Sequence, residues 1–338
     1  MATARARVRG LVALAAWLFG CGSAPAPALT PVKTERKEPP APVVSCAAVS
    51  EPFSGTVCTP NDGKRHPGLL LFGSGDPGEP LSGQARELAA RGRVCASVRY
   101  FGAPGTPSAL VRVPLELGGA ALRFLRERDD VEPSELALFG SSKGGEYALL
   151  VAAHYPEVTA VAVVGAAPFA WFGLGEDGQP MGCSWTHEER TLPCVPEEEK
   201  ASLLLRSKAS AGEPLSFRPL YEASRKQRDL VKAATIPVER IHGPVLCLAG
   251  DDDRYWNSRA HCELLLNRLK ERGHAHADRA RGYPGAGHLF VAARQGPGAA
   301  LNVLERQSFR IALGGSPEAD ARSAREAWTE LEGFLPAR

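Results

Sequence analysis

Residues 136–150 read LALFGSSKGGEYALL. An apolar run stops at Gly140, passes two serines, Lys143 and two glycines, and then an apolar run resumes. The pattern predicts a strand that turns tightly into a helix. A serine at such a turn can do no more than cap the helix, or it can be held there for chemistry. Gly140-Ser141-Ser142-Lys143-Gly144 fits Gly-x-Ser-x-Gly, and its setting between strand and helix is the one a nucleophile elbow requires. The turn is so tight that its flanking residues must be small, which Gly140 and Gly144 satisfy. Ser142 is then the candidate nucleophile, and the backbone N–H of Lys143 a candidate oxyanion donor beside the positive end of a helix dipole. Ser141 does not fit, because Phe139 stands where the pattern needs glycine.

Working outward, short continuous apolar runs alternate with amphipathic ones. Strands are expected at 68–74, 93–102, 135–142, 158–168 and 243–253, with a weaker one at 275–285. Helices are expected at 79–92, 113–130, 143–156, 258–273 and 316–335. Continuous apolar strands between amphipathic helices mean a parallel sheet covered on both faces. The expected fold is therefore α/β, a doubly wound, mostly parallel sheet, and the elbow at Ser142 makes the expected type an α/β-hydrolase. Residues 169–240 break the rhythm with Trp171, Phe172, Trp185, two cysteines and many prolines. So long a connection is expected to be a lid insertion.

In such sheets the working groups sit on loops at the carboxyl ends of strands. A nucleophilic serine needs a base, and the base an orienting acid, in the chain order Ser, Asp/Glu, His. CLAGDDDRYW (247–256) ends a strand with three aspartates, and GYPGAGHLF (282–290) places His288 in a glycine-rich loop after the last expected strand. Of the eight histidines, His66 lies before the elbow, His154 on the helix after it and His187 in the insertion. His242, His261, His274 and His276 lie on or beside helices and turns and read as surface or packing residues. A second oxyanion donor belongs in the loop after the first long strand, FGSGDPGEP (72–80), where Ser74 or Gly75 can offer an N–H.

The N-terminus carries Arg5, Arg7 and Arg9, then LVALAAWLFG and Cys21. A basic start before a short apolar core is the shape of an export signal and is too short to span a bilayer. Leu18-Phe19-Gly20-Cys21 is similar to a bacterial lipoprotein box, which would make Cys21 the lipidated residue and 1–21 the signal. The competing expectation is ordinary cleavage near 24–28 and a soluble exported protein. Residues 22–44, rich in proline and alanine, read as a tether, so the catalytic domain is expected at 45–338. The net charge of +2 gives no electrostatic reason to expect a nucleic-acid partner.

Eight cysteines fit an oxidising compartment only in part. Cys46 and Cys58 lie 12 apart, and Cys183 and Cys194 lie 11 apart, so each pair is a candidate disulfide. Cys95, Cys247 and Cys262 sit in apolar strand or helix patterns and read as buried thiols. His187 between Cys183 and Cys194 makes a weak metal pattern with one long gap, and no metal or organic cofactor is expected.

Several stretches together carry a more specific signal. FGSG (72–75), FGSSKGGE (139–146), IPVERIHGPVLCLAGDDDRYWNS (236–258) and YPGAGH (283–288) resemble the C-terminal catalytic domain of acyl-CoA thioesterases and bile acid-CoA:amino acid N-acyltransferase. The resemblance runs from roughly 55 to 293. It implies a triad of Ser142, Asp253 and His288, and so selects Asp253 among the three aspartates. The acyltransferase branch uses cysteine as nucleophile, so Ser142 points to transfer to water. Export would place the chain where coenzyme A is scarce, which separates the fold from the family's substrate. The expectation is an exported serine hydrolase of carboxylic esters or acyl thioesters, anchored to a membrane through Cys21. Two readings compete with it: a serine peptidase of the same fold, and a non-catalytic binding lipoprotein that kept the fold.

Overall fold

The computed structural model describes residues 42–76, 81–209, 212–306 and 309–337. The expected export signal, Cys21 and all but the last residues of the tether lie outside them. The first half of the domain contains β1 (Val44–Val49), β2 (Ser54–Pro60), β3 (His66–Phe72), α1 (Ser82–Ala89), β4 (Val94–Arg99), β5 (Val113–Pro114), α2 (Glu116–Arg126), β6 (Val131–Ser141), α3 (Lys143–His154) and β7 (Val158–Val164). The segment after β7 holds β8 (Phe172–Leu174), β9 (Pro180–Cys183), β10 (Trp185–His187), β11 (Arg190–Thr191), α4 (Glu199–Ala209), α5 (Arg218–Ser224) and α6 (Arg228–Ala234). The chain then returns to the sheet and ends with β12 (Val245–Gly250), α7 (Ser258–Glu271), β13 (Arg279–Tyr283), β14 (Val303–Glu305), β15 (Arg310–Ala312) and α8 (Pro317–Phe334).

Eight strands form the main sheet in the order β1-β2-β4-β3-β6-β7-β12-β13. The pairs from β4 through β13 are parallel, whereas β1–β2 and β2–β4 are antiparallel. Every residue of β3 and of β12 is buried, as expected of strands with helices on both faces. Alternation divides them between two cores. Leu70, Phe72, Val245 and Cys247 face one core with residues of α2, α3 and α7, while Leu69, Leu71, Leu246 and Leu248 face the other with α1 and α8. The helices therefore cover both sides of the sheet, the doubly wound arrangement expected from the sequence.

Three features correct or extend the sequence reading. The antiparallel strands β1 and β2 add an edge ahead of the first expected strand, and β1 begins inside the expected tether, at Val44. Cys247 and Cys262 are not buried thiols. They form a disulfide that fastens β12 to α7, with their Cα atoms 5.4 Å apart. The sequence hid this pairing because helix packing, not local spacing, brings position 262 over position 247. Cys46–Cys58 and Cys183–Cys194 are also bonded, while Cys95 is a buried free thiol whose pKa burial pushes up to about 12. The stretch between His288 and the closing helix, to which the apolar pattern assigned nothing, carries the β14–β15 hairpin.

The root of the 169–240 insertion is part of the core. β10 pairs with β5 and β11 in a small sheet of its own. Trp171 and Trp185 are wholly buried, and the Trp171 ring lies 5.0 Å from Phe169 and 4.7 Å from Tyr221, centroid to centroid. Among the described residues, no helix is long and apolar enough to cross a membrane.

Candidate active site

β6 delivers Ser142 at its carboxyl end in a conformation few side chains tolerate, with φ 54° and ψ −121°. A non-glycine residue held there stores strain that the surroundings must over-determine. The surroundings do so. Ser142 N–H donates to the carbonyl of Val164 on β7 at 2.8 Å. A Cβ on Gly140 would come within 2.2 Å of the Gly144 carbonyl oxygen, and one on Gly144 within 2.0 Å of the Gly73 oxygen. Neither position accepts a side chain, because the helix start packs directly on the strand and on the neighbouring loop. Ser142 makes no side-chain cap on α3, so the capping alternative does not describe this serine.

The Ser142 hydroxyl instead meets His288. Oγ lies 2.8 Å from Nε2, and Nδ1 lies 2.7 Å from Asp253 Oδ2. A carboxylate only accepts, so Nδ1 carries the proton, and Nε2 of the neutral ring is left to accept from the serine. The other oxygen of Asp253, Oδ1, accepts from the backbone N–H of Tyr255 at 2.8 Å and of Trp256 at 3.1 Å. These bonds leave the carboxylate no freedom to rotate. The Tyr255 ring stacks on the imidazole at 4.8 Å, and Trp256 meets it edge-on at 5.2 Å. All three polar residues are buried.

The aspartates divide as their surroundings dictate. Asp251 pairs with Arg259, and Asp252 pairs with Arg254 and accepts from Gly315 N–H. Only Asp253 turns inward to the histidine. The hairpin region holds the histidine loop from behind, since Leu313 O accepts from His288 N–H at 2.9 Å.

The loop after β3 lies against the elbow. Gly75 sits beside the Lys143 side chain, with Cγ 3.4 Å from where a Cβ would stand. The Tyr100 hydroxyl lies 2.9 Å from the Gly73 carbonyl oxygen and 2.8 Å from that of Ser74, and its single O–H is shared between them. Burial keeps that phenol protonated by pushing its pKa well up. Across a trans peptide the N–H opposes the C=O. Holding both carbonyls on Tyr100 therefore turns the N–H groups of Ser74 and Gly75 away from it. Sequence reasoning missed Tyr100, whose only local signal was a tyrosine at the end of an apolar strand.

A cleft of about 300 Å³ opens over this arrangement, reached by Ser74, Gly75, Ser142, Lys143 and His288. Its walls are largely apolar and come from separate parts of the chain: Phe101, Leu110, Leu174 of the insertion, and Leu304 and Ile311 of the hairpin. Arg306 and Asp76, which also reach the cleft, are paired with each other. The weak metal pattern does not form a site. Cys183 and Cys194 are bonded to each other, and no group of three metal-ligating side chains gathers among the described residues.

The fold and site can be set beside known proteins. An esterase from Pyrobaculum calidifontis superposes with a TM-score of 0.51 at 18% identity, over 87% of this chain and 85% of the esterase. That likeness shows the fold, an α/β-hydrolase. The Mus musculus mitochondrial acyl-coenzyme A thioesterase 2 is 28% identical over 83% of this chain and 57% of its own length. The Mus musculus acyl-coenzyme A amino acid N-acyltransferase 2 is 25% identical over 80% of this chain and 59% of its own length. The chain thus spans less than two thirds of the length of these relatives. The family model described as BAAT / Acyl-CoA thioester hydrolase C terminal matches residues 113–337. The match takes in the elbow, Asp253 and His288, and the chain belongs to that family.

Proposed function

We propose that this chain is an exported serine hydrolase that cleaves carboxylic esters or acyl thioesters through an acyl-enzyme. The observation that carries the reading is the unbroken line of hydrogen bonds from Ser142 through His288 to Asp253 beneath an apolar cleft. His288 Nε2 takes the serine proton as Oγ attacks the carbonyl carbon, and then gives it to the leaving oxygen or sulfur. Asp253 holds the tautomer and stabilises the imidazolium. Lys143 N–H, together with an N–H of Ser74 or Gly75, holds the oxyanion. Water, activated by the same histidine, then releases the acyl group and restores Ser142. No metal or organic cofactor enters these steps.

A binding module has no use for a strained serine, an oriented base and a fixed acid, which supports an enzyme. Export is supported by the three disulfides, bonds that persist in oxidising compartments. On this reading Cys21 carries the lipid that anchors the domain to a membrane of the cell envelope. The relatives' names point to acyl-CoA, and the apolar cleft suits an acyl group whatever its leaving group.

The test is turnover of a short p-nitrophenyl ester and of an acyl-CoA by the parent and by Ser142→Ala. Loss of the nucleophile is expected to lower turnover by about 10⁶. A variant that matches its parent, or a parent that turns over neither substrate, would sink the hydrolase reading. Ester turnover without thioester turnover would assign the chain to esters.

A further inference from the structure

The residue after the nucleophile sends its side chain away from the reaction. Lys143 is fully buried, and its Nζ donates to Glu146 Oε2 at 2.9 Å and to the carbonyls of Trp171 and Phe172 at 3.4 and 3.3 Å. Glu146 Oε2 also accepts from Trp171 N–H at 3.1 Å and from Trp185 Nε1 at 3.0 Å, while its Oε1 has no partner among the described residues. Ser184 Oγ donates to the same two carbonyls. Burial lowers the lysine pKa and raises that of the glutamate. A buried ion pair seldom adds stability over an apolar pair of the same shape. Stability is therefore a poor reason for this one.

Its connections give a better reason. The ammonium and carboxylate of one helical turn grip both sides of the first insertion hairpin, at 171–172 and at Trp185. The lysine stem also lies against Gly75 in the opposite oxyanion loop. We infer that Lys143 and Glu146 are positioning residues that lock the root of the insertion to the nucleophile elbow and so fix the oxyanion N–H of Lys143. The insertion root is then fixed against the elbow. This inference rests on the serine-hydrolase reading above.

Removing one partner leaves a buried charge that can unfold the chain, so the test uses the double variant Lys143→Met with Glu146→Gln. With p-nitrophenyl butyrate, the KM is expected to stay within about twofold while kcat falls about 10- to 100-fold, part of what a lost oxyanion donor costs. Affinity for a trifluoromethyl ketone, whose hemiketal oxygen occupies the oxyanion site, is expected to fall by the same factor. A kcat and ketone affinity within twofold of the parent would overturn the inference. If the double variant does not fold, Trp185→Phe carries the test, because it removes one donor to Glu146 and keeps an aromatic ring in place. It is expected to lower kcat about threefold at constant KM, and an unchanged kcat overturns the inference. An inactive parent would sink the hydrolase reading itself, whereas an active parent with indifferent variants sinks only the role of the pair.

Discussion

The elbow and the insertion root lie side by side but are built in opposite ways. At the elbow, function depends on local geometry: a strand end, a strained serine, and glycines that let the helix close on the strand. The polar groups of Ser142, His288 and Asp253 are joined by directed hydrogen bonds. The insertion root adds bulk to its hydrogen bonds with Lys143 and Glu146. Trp171, Trp185 and Tyr221 are buried almost completely; Trp171 packs on Tyr221, and Trp185 packs on Tyr147 of α3. The contrast teaches that one region is organised for chemistry and the other for holding it still. Substitutions should therefore fail differently in the two places.

The largest contrast is expected at Asp253. Asp253→Asn keeps the shape but offers His288 Nδ1 a group that no longer demands its proton. Turnover is expected to fall by about 10⁴ with little change in the thermal midpoint. Equal losses of rate and stability would break the comparison. Trp171→Ala is the converse. Deleting a fully buried indole costs about 3–5 kcal/mol, to be read from denaturant unfolding. A Trp171→Ala protein as stable as its parent would show that the root is not a structural element.

A finer effect comes from His261, whose ring lies between Phe169, at 5.2 Å, and Trp256, at 5.7 Å. Burial, with a smaller effect from Arg225, lowers its pKa to about 3. The unfolded chain takes up that proton below about pH 6.5 and the folded one does not. Unfolding therefore binds a proton in this window, and stability falls as pH falls, by up to about 1.4 kcal/mol per pH unit. Between pH 6.5 and 5, His261→Phe is expected to flatten the pH dependence of the melting midpoint. Equal slopes for parent and variant would contradict a neutral buried ring.

What the sequence disclosed follows the same division. The elbow, the order of strands and helices, and the position of His288 are written in neighbouring residues, so pattern reading reaches them. Asp253 was not separable from Asp251 and Asp252 by pattern alone. Its selection needed the family resemblance, and the structure shows which carboxylate turns inward. The anchoring of the 73–75 loop by Tyr100, the Cys247–Cys262 bond and the β14–β15 hairpin depend on residues brought together by packing. No local spacing encodes them. His261 was readable as a packing residue but not as one so fully desolvated.

The most direct test of the central claim is covalent trapping. A fluorophosphonate gives up fluoride readily to an activated serine oxygen, and peptide mass spectrometry then locates the adduct. The account predicts one phosphonylated residue, Ser142 and not Ser141, with labelling lost in His288→Ala. No adduct, or an adduct on another serine, would contradict it.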